Sequence, residues 1–226
     1  MAKSPGPKPS PPPTHYLCPM LLRINPDKPD DASLRKVAEV LRQGGLIIYP
    51  TDTIYGIGCD IYQPKTIERL CRFKGIPLEK ANFSIVCSDL SHLSDFTKPI
   101  STTVFRVLKK ALPGPYTFVL EANNKVPKIF QSKKKTVGIR VPANLIISGI
   151  IKALGNPIVS SSVHDLNDEM SDYFADPDLI YEHYHDKVDL IVNGGYGNLQ
   201  PSTVIDATGG EFTVIREGQG EVQHLW

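Results

Sequence analysis

The chain has 226 residues, 41% of them hydrophobic, enough to bury one substantial core, so one domain plus a tail is expected. Lys and Arg total 25 against 24 Asp and Glu, a formal net charge of +1, which excludes a bulk electrostatic drive toward nucleic acid or membrane and makes any basic site local. The four cysteines, Cys18, Cys59, Cys71 and Cys87, form no C-x-x-C pair, and neither a membrane-length apolar run nor a signal-peptide core is present, so a soluble cytoplasmic protein with reduced thiols is expected.

Residues 1–18 are dominated by Pro, Lys, Ser and Gly, a composition with little apolar surface to bury, and read as a disordered tail ahead of a domain over 19–226. Asp30 and Asp31 can cap a helix in which Leu34, Val37, Ala38 and Leu41 recur at helical spacing until Gly44-Gly45. Leu46 to Tyr49 is a short apolar strand closed by Pro50. A helix is predicted over Pro64–Phe73, then a strand over Phe83–Cys87. Val104, Phe105, Leu108 and Leu112 mark another helical face, which stops at Pro113-Gly114-Pro115. Strands follow at Tyr116–Glu121, Thr136–Val141, Pro157–Ser161, Val188–Val192, Ser202–Asp206 and Phe212–Arg216, with a helix at Ala143–Leu154. Helices and strands that trade places without a repeat or a long linker predict a mixed, twisted α/β sheet.

The polar residues worth weighing stand at strand ends. Pro50-Thr51-Asp52-Thr53-Ile54-Tyr55-Gly56 follows a buried strand, where open α/β sheets bind ligands, although alone it also reads as a Thr- and Gly-rich turn. Arg72, Lys74 and Gly75 end a predicted helix, so their charges serve either the helix C-terminus or a phosphate. In Thr136-Val137-Gly138-Ile139-Arg140-Val141-Pro142, a guanidinium set among apolar strand residues must snorkel to water or meet an anion, and the anion is favoured. Ser160-Ser161-Ser162 and Pro201-Ser202-Thr203 add hydroxyl clusters suited to carboxylate and phosphate oxygens, or to capping turns. His183 and His185 with Asp186 lack a third ligand and read as a helix end, so no metal site is expected.

Taken together, six segments resemble the YrdC/YciO family in order: Pro50 to Gly56, Lys74-Gly75 with Pro77, Pro113 to Thr117, Gly138 to Pro142, Pro201 to Asp206, and Arg216-Glu217-Gly218. The resemblance runs from about Leu21 to Val222. It implies a twisted open α/β sheet around a deep basic concave cavity. It also implies an L-threonylcarbamoyladenylate synthase that makes threonylcarbamoyl-AMP from L-threonine, bicarbonate and ATP with Mg2+, and hands it to a separate threonylcarbamoyl transferase for tRNA modification. By resemblance, Thr53, Tyr55, Arg140 and Ser202 would hold threonine, and Lys74, Ser160, Ser162 and Arg216 would face the nucleotide, with Lys74 and Arg140 the catalytic cations.

Two positions depart from the synthase pattern, in which a Lys-x-Arg-Pro signature precedes a Ser-x-Asn. Here they read Lys74-Gly75-Ile76-Pro77 and Ser162-Val163-His164, so a cation has become isoleucine and an amide imidazole. With Lys80-Ala81-Asn82-Phe83, these resemble the YciO branch, which gives the alternative of a nucleotide- or RNA-binding paralogue with little synthase turnover. Lys125, Lys128 and Lys133-Lys134-Lys135 read as a solvated loop, or as a rim for tRNA or other double-stranded RNA. Asp165–Asp172 reads as a loop over the cavity mouth.

Overall fold

The computed structural model describes residues 20–124, 126, 135–163 and 175–226. The expected tail over 1–18, with Cys18, lies outside the described residues, as do Lys125, Lys128, Lys133, Lys134, His164 and the Asp165–Asp172 stretch.

Elements alternate along the chain as the apolar periodicities predict. Strand β1 (Met20–Arg23) leads to helix α1 (Asp31–Arg42), whose N-cap Asp30 accepts the Ser33 amide at 2.8 Å. Then come β2 (Ile47–Tyr49), β3 (Gly56–Asp60), α2 (Pro64–Phe73) and β4 (Ser84–Val86). A single turn, α3 (Leu93–Phe96), precedes α4 (Thr102–Ala111), β5 (Tyr116–Glu121) and β6 (Thr136–Arg140). The chain continues through α5 (Leu145–Leu154), β7 (Ile158–Ser162), α6 (Pro177–Tyr184), β8 (Leu190–Asn193), β9 (Thr203–Asp206) and β10 (Thr213–Arg216). Helix α5 begins two residues later than its apolar pattern suggests. Asn144 caps it by accepting from Ile146 and Ile147, and the Ala143 amide turns instead to the Asp52 carboxylate.

Strand β3 is the element the sequence conceals. Its Gly-Ile-Gly-Cys-Asp carries two glycines, which weaken any strand signal, yet it pairs antiparallel with β2 on one side and β7 on the other. The strands of the described residues form one mixed sheet in the order β1-β8-β2-β3-β7-β4-β6-β5-β9-β10. Four pairs are parallel (β1 with β8, β2 with β8, β4 with β6, β5 with β9) and the other pairs among the described strands are antiparallel.

Strand side chains alternate between the two faces, and the two faces are covered differently. Ile48, Ile57, Ile85, Phe118, Ile139, Val159, Ile191 and Ile205 point to one face and join α2, α3, α4 and α6 in the larger core. On the opposite face, Ile47, Tyr49, Ile158, Leu190 and Val192 pack under α1 and α5 in a second core. Those two helices reach only the β1-β8-β2-β3 half of the sheet and its edge at β7 and β4. Past that edge the same face turns polar, with Ser84, Thr117, Glu121, Thr136, Gly138, Arg140, Ser160 and Asp206 alternating along successive strands. Asp189 ties the start of the sheet to α2: it accepts the Leu46 amide at 2.6 Å and pairs with Arg69 at 2.5 Å.

This layering makes a directional prediction for α5. Ile147 is fully buried in the second core and Leu145 is 60% exposed on the same helix. Ile147→Ala is expected to cost about 2–5 kcal/mol in urea denaturation. Leu145→Ala should stay within about 0.5 kcal/mol of the parent; equal losses would mean that α5 presents a different face to the sheet.

Candidate functional site

The uncovered half-face of the sheet is the floor of a cavity of about 1230 Å³. A half-face with no helix over it cannot be wholly apolar without exposing a large greasy patch, and the cavity-facing positions of β4 to β7 and β9 are mixed, with Val119 and Val204 among hydroxyl and charged side chains. Gly138 lies at the centre of the floor. A Cβ at that position would come within 3.0 Å of Ser84 Oγ and 3.4 Å of Thr117 Cγ2, so the glycine keeps the floor low between its two neighbouring strands.

At one end of the floor Arg140 projects from the last position of β6. Its Nη2 donates to Asp52 Oδ1 at 2.7 Å, Thr53 Oγ1 at 2.5 Å and Thr51 Oγ1 at 3.1 Å. The paired side chains of Arg140 and Asp52 are 12% and 10% exposed, so this ion pair is largely withdrawn from water while one side still faces the cavity. Arg140 Nε is buried with no hydrogen-bond partner among the described residues. Asp52 was not singled out from the sequence, yet it joins three loops. Its second carboxylate oxygen accepts the Ala143 amide at 2.9 Å, and its carbonyl accepts the Asn198 side-chain amide at 2.9 Å.

A second guanidinium, Arg216, lines the same cavity. Arg216 Nη2 donates to the Ser202 carbonyl at 2.7 Å and to Ser202 Oγ at 3.3 Å, while Ser202 and Thr117 share a hydroxyl hydrogen bond of 2.8 Å. Partial burial and then the positive charge of Arg140 lower the Arg216 pKa, although a guanidinium remains protonated at any physiological pH. The two cations therefore act on one volume, and an anion entering it relieves their mutual repulsion. The basic lining residues are Lys80, Lys98, Lys135, Arg140 and Arg216 against Glu79, Glu121 and Asp206, and Lys98 is already paired with Glu121 at 2.8 Å. Basic groups outnumber acidic ones in the lining, with Arg140 already offset by Asp52 and Lys98 by Glu121.

Of the residues expected to form a site, Thr53, Arg140, Ser160, Ser162, Ser202 and Arg216 line this cavity together. Tyr55 and Lys74 are placed differently. Tyr55 is buried beneath the 193–198 loop, with its hydroxyl donating to the Gly195 carbonyl at 2.7 Å and accepting the Gly194 amide at 3.2 Å. Burial pushes its pKa up to about 12. Lys74 is the C-cap of α2, 4% exposed, and its Nζ donates to the Ser162 carbonyl at 3.2 Å, so it supports a cavity residue from behind. Ile76, expected at a position facing phosphate, packs instead against the larger core with Phe73 and Leu78. Around His183 and His185, α6 ends at Tyr184 and His185 is its C-cap. Lys135 lines the cavity, the one member of the lysine run that is described. No helix among the described residues is long and apolar enough to cross a membrane.

Comparison with known proteins places this geometry in context. A family model, Sua5/YciO/YrdC, described as telomere recombination, matches residues 39–218. The uncharacterized protein YciO of Escherichia coli is 40% identical over 201 residues, covering 88% of this chain and 96% of its own. Its crystal structure superposes with a TM-score of 0.84 over 91% of this chain and 98% of that one. A threonylcarbamoyl-AMP synthase of Halorhodospira halophila is 27% identical over 180 residues, covering 79% of this chain and 92% of its own. The structure of P. abyssi Sua5 complexed with L-threonine gives a TM-score of 0.77 at 26% identity, over 88% of this chain and 57% of that one.

The Arg140 and Asp52 pair yields a stability prediction independent of any ligand. Asp52→Ala leaves a largely buried guanidinium without its counter-charge and strips an acceptor from Ala143. A loss approaching about 3–5 kcal/mol is expected in urea denaturation at low salt. Inorganic phosphate, by filling the vacated counter-charge position, should raise the melting temperature of Asp52→Ala more than that of the parent. A variant as stable as the parent would show that water in the cavity already solvates Arg140.

Proposed function

The chain belongs to the Sua5/YciO/YrdC family, and on that premise we propose that it is an L-threonylcarbamoyladenylate synthase, forming threonylcarbamoyl-AMP and pyrophosphate from L-threonine, bicarbonate and ATP. The observation that carries this reading is that Arg140 and Arg216 line one cavity with several hydroxyls and lie close enough for their charges to interact. Two fixed cations set in a polar floor suit a ligand set with two anionic groups, a carboxylate and a polyphosphate. The threonine complex of P. abyssi Sua5 supports threonine as one of the two.

In this reading the threonine carboxylate meets Arg140, flanked by the hydroxyls of Thr53 and Ser202, and the phosphates lie toward Ser160, Ser162 and Arg216. The threonine amine takes up CO2 derived from bicarbonate as a carbamate. A carbamate oxygen then attacks the α-phosphorus, the bond to the bridging oxygen breaks, and pyrophosphate leaves. The chain's contribution is positioning and charge stabilisation, with no side chain forming a covalent bond. Arg140 is held before substrate arrives, because Asp52, Thr51 and Thr53 all engage one of its nitrogens. The free edge of its guanidinium is then pre-aimed at the carboxylate. The donor set, hydroxyls and guanidinia with few carboxylates, fits a polyphosphate that brings its own Mg2+; when bound, that ion neutralises charge on the phosphate oxygens. Lys74 acts through the Ser162 carbonyl that it anchors. The product would pass to a separate transferase acting on tRNA.

A second reading is favoured by one specific observation. Ile76 turns into the core where the synthase signature has arginine, which removes a charge-assisted contact worth about 1.5–3 kcal/mol. A nucleotide- or RNA-binding protein with little turnover is the corresponding alternative.

Two measurements decide between them. Purified protein with L-threonine, bicarbonate and Mg-ATP is expected to release pyrophosphate and give threonylcarbamoyl-AMP by mass spectrometry. ATP binding without any adenylate above the no-enzyme control would select the second reading. In titrations, Arg140→Ala should weaken threonine binding far more than ATP binding, and Arg140→Lys should restore only part, because an ammonium cannot reproduce the guanidinium fork. Equal losses for both ligands would mean that Arg140 serves the fold.

A further inference from the structure

Ser160 stands on β7, in the middle of the sheet, and its hydroxyl lines the cavity, but what fixes that hydroxyl comes from two strands away. Tyr49, the last residue of β2, is fully buried, and its ring crosses β3 to place Oη 2.5 Å from Ser160 Oγ. The crossing requires the glycines of β3. A Cβ on Gly56 would sit 3.0 Å from Tyr49 Cζ and 3.1 Å from Oη, and one on Gly58 would sit 2.5 Å from the Val159 carbonyl oxygen and 3.3 Å from Tyr49 Cε1. Tyr49, Gly56, Gly58 and Ser160 thus form one device, and it runs beneath the edge of the helical layer into the cavity floor.

The direction of this hydrogen bond follows from satisfaction. Burial pushes the Tyr49 pKa up to about 12, so its proton is present at physiological pH and must be placed. Among the described residues the acceptor it reaches is Ser160 Oγ. Were Ser160 the donor, the tyrosine proton would be left buried and unpaired. Ser160 therefore accepts from Tyr49 and keeps its own proton for another acceptor. Its protein choices are poor: the Ile57 and Ser161 carbonyls lie 3.3 and 3.4 Å away, beyond the range of a good hydroxyl hydrogen bond. The proton is thus loosely held on a residue that lines the cavity. A ligand oxygen facing Ser160 gains a donor already polarised by the tyrosine. A ligand N–H would compete with Tyr49 and leave that proton on weak acceptors. The positive charge of Arg140 is also felt at Tyr49, so the surroundings favour an anionic oxygen.

We propose that Tyr49 is a positioning residue that commits Ser160 to donate its hydroxyl proton to an anionic oxygen of the bound ligand. Under the function proposed above, on which the identity of the ligand rests, that oxygen belongs to the phosphates of ATP.

The test measures ATP and adenosine binding by titration calorimetry for the parent, Tyr49→Phe, Ser160→Ala and the double variant. Tyr49→Phe is expected to weaken ATP roughly three- to tenfold, the size of one hydrogen bond to a charged group reduced in strength, and to leave adenosine unchanged. The double variant should bind ATP no worse than Ser160→Ala, because Tyr49 acts through Ser160. Gly56→Ala, which keeps the tyrosine but crowds its hydroxyl, should reproduce the selective loss if Tyr49→Phe proves unstable in urea denaturation. Unchanged ATP affinity in Tyr49→Phe, equal losses for ATP and adenosine, or additive losses in the double variant would each overturn the proposal. Failure of the parent to bind ATP would overturn the assigned function instead. The donor assignment is decided separately by neutron diffraction on ligand-free crystals: a deuteron bonded to Tyr49 Oη and directed at Ser160 is expected, and a Ser160 deuteron directed at Tyr49 overturns it.

Discussion

A ten-stranded sheet has two faces to shield, and here one of them is covered only in part. Helices α1 and α5 bury the inward residues of β1, β8, β2 and β3, while no helix of the described residues covers the same face from β6 to β10. Everything else about the site depends on that incomplete cover. The uncovered strands keep an apolar surface toward the larger core and a more polar one toward the cavity, and β6 alternates most clearly. Val137, Ile139 and Val141 go to the core while Thr136, Gly138 and Arg140 go to the floor. The ligand site is built from the solvent side of otherwise ordinary core strands, and its residues inherit the rigidity of the sheet.

Charge is organised on that floor by anchoring one side of each guanidinium. Arg140 is held by a carboxylate and two threonine hydroxyls, Arg216 by the carbonyl and hydroxyl of Ser202. Each cation therefore loses little conformational freedom when an anion arrives, since the ordering cost has been met in the folded state. The support extends outward from there. Asp52 is fixed by the Ala143 amide and by Asn198, so the loops that follow β2, β6 and β8 converge on one carboxylate. Tyr55, beneath the 193–198 loop, and Lys74, behind Ser162, belong to this supporting shell.

How much of this was legible in the sequence varied with the physical signal. Helices with clear apolar spacing were readable to within a residue or two; α2 runs over the predicted Pro64–Phe73. Strand β3 was not, because Gly56 makes room for the ring of Tyr49 and Gly58 for the Val159 carbonyl, and neither carries strand propensity. Among site residues, Thr53, Arg140, Ser160, Ser162, Ser202 and Arg216 share one cavity; Arg140 and the serines stood out as polar residues at strand ends, and the set as a whole came from the family resemblance. Asp52 escaped notice because its importance lies in contacts made 88 and 91 residues away, to Arg140 and Ala143, which no local pattern encodes. Tyr49 looked like one more apolar strand residue, since nothing in Leu46-Ile47-Ile48-Tyr49 hints that its hydroxyl has a partner 111 residues on. Ile76 shows the limit of reading a position from its motif alone, because the side chain has left the site for the core.

The strand order carries a kinetic consequence. Neighbours in the sheet are drawn from distant parts of the chain: β1 lies against β8, β7 separates β3 from β4, and β5 pairs with β9. Contact order is accordingly high, and the loops that must close before these pairs form are long. Local helices and the β2–β3 hairpin can appear early, but the cavity floor has no local nucleus. During synthesis it remains incomplete until β9 and β10, near the end of the sequence, have emerged to take their places beside β5. The cavity floor is thus a late product of folding, absent from any partly made chain that already holds its helices.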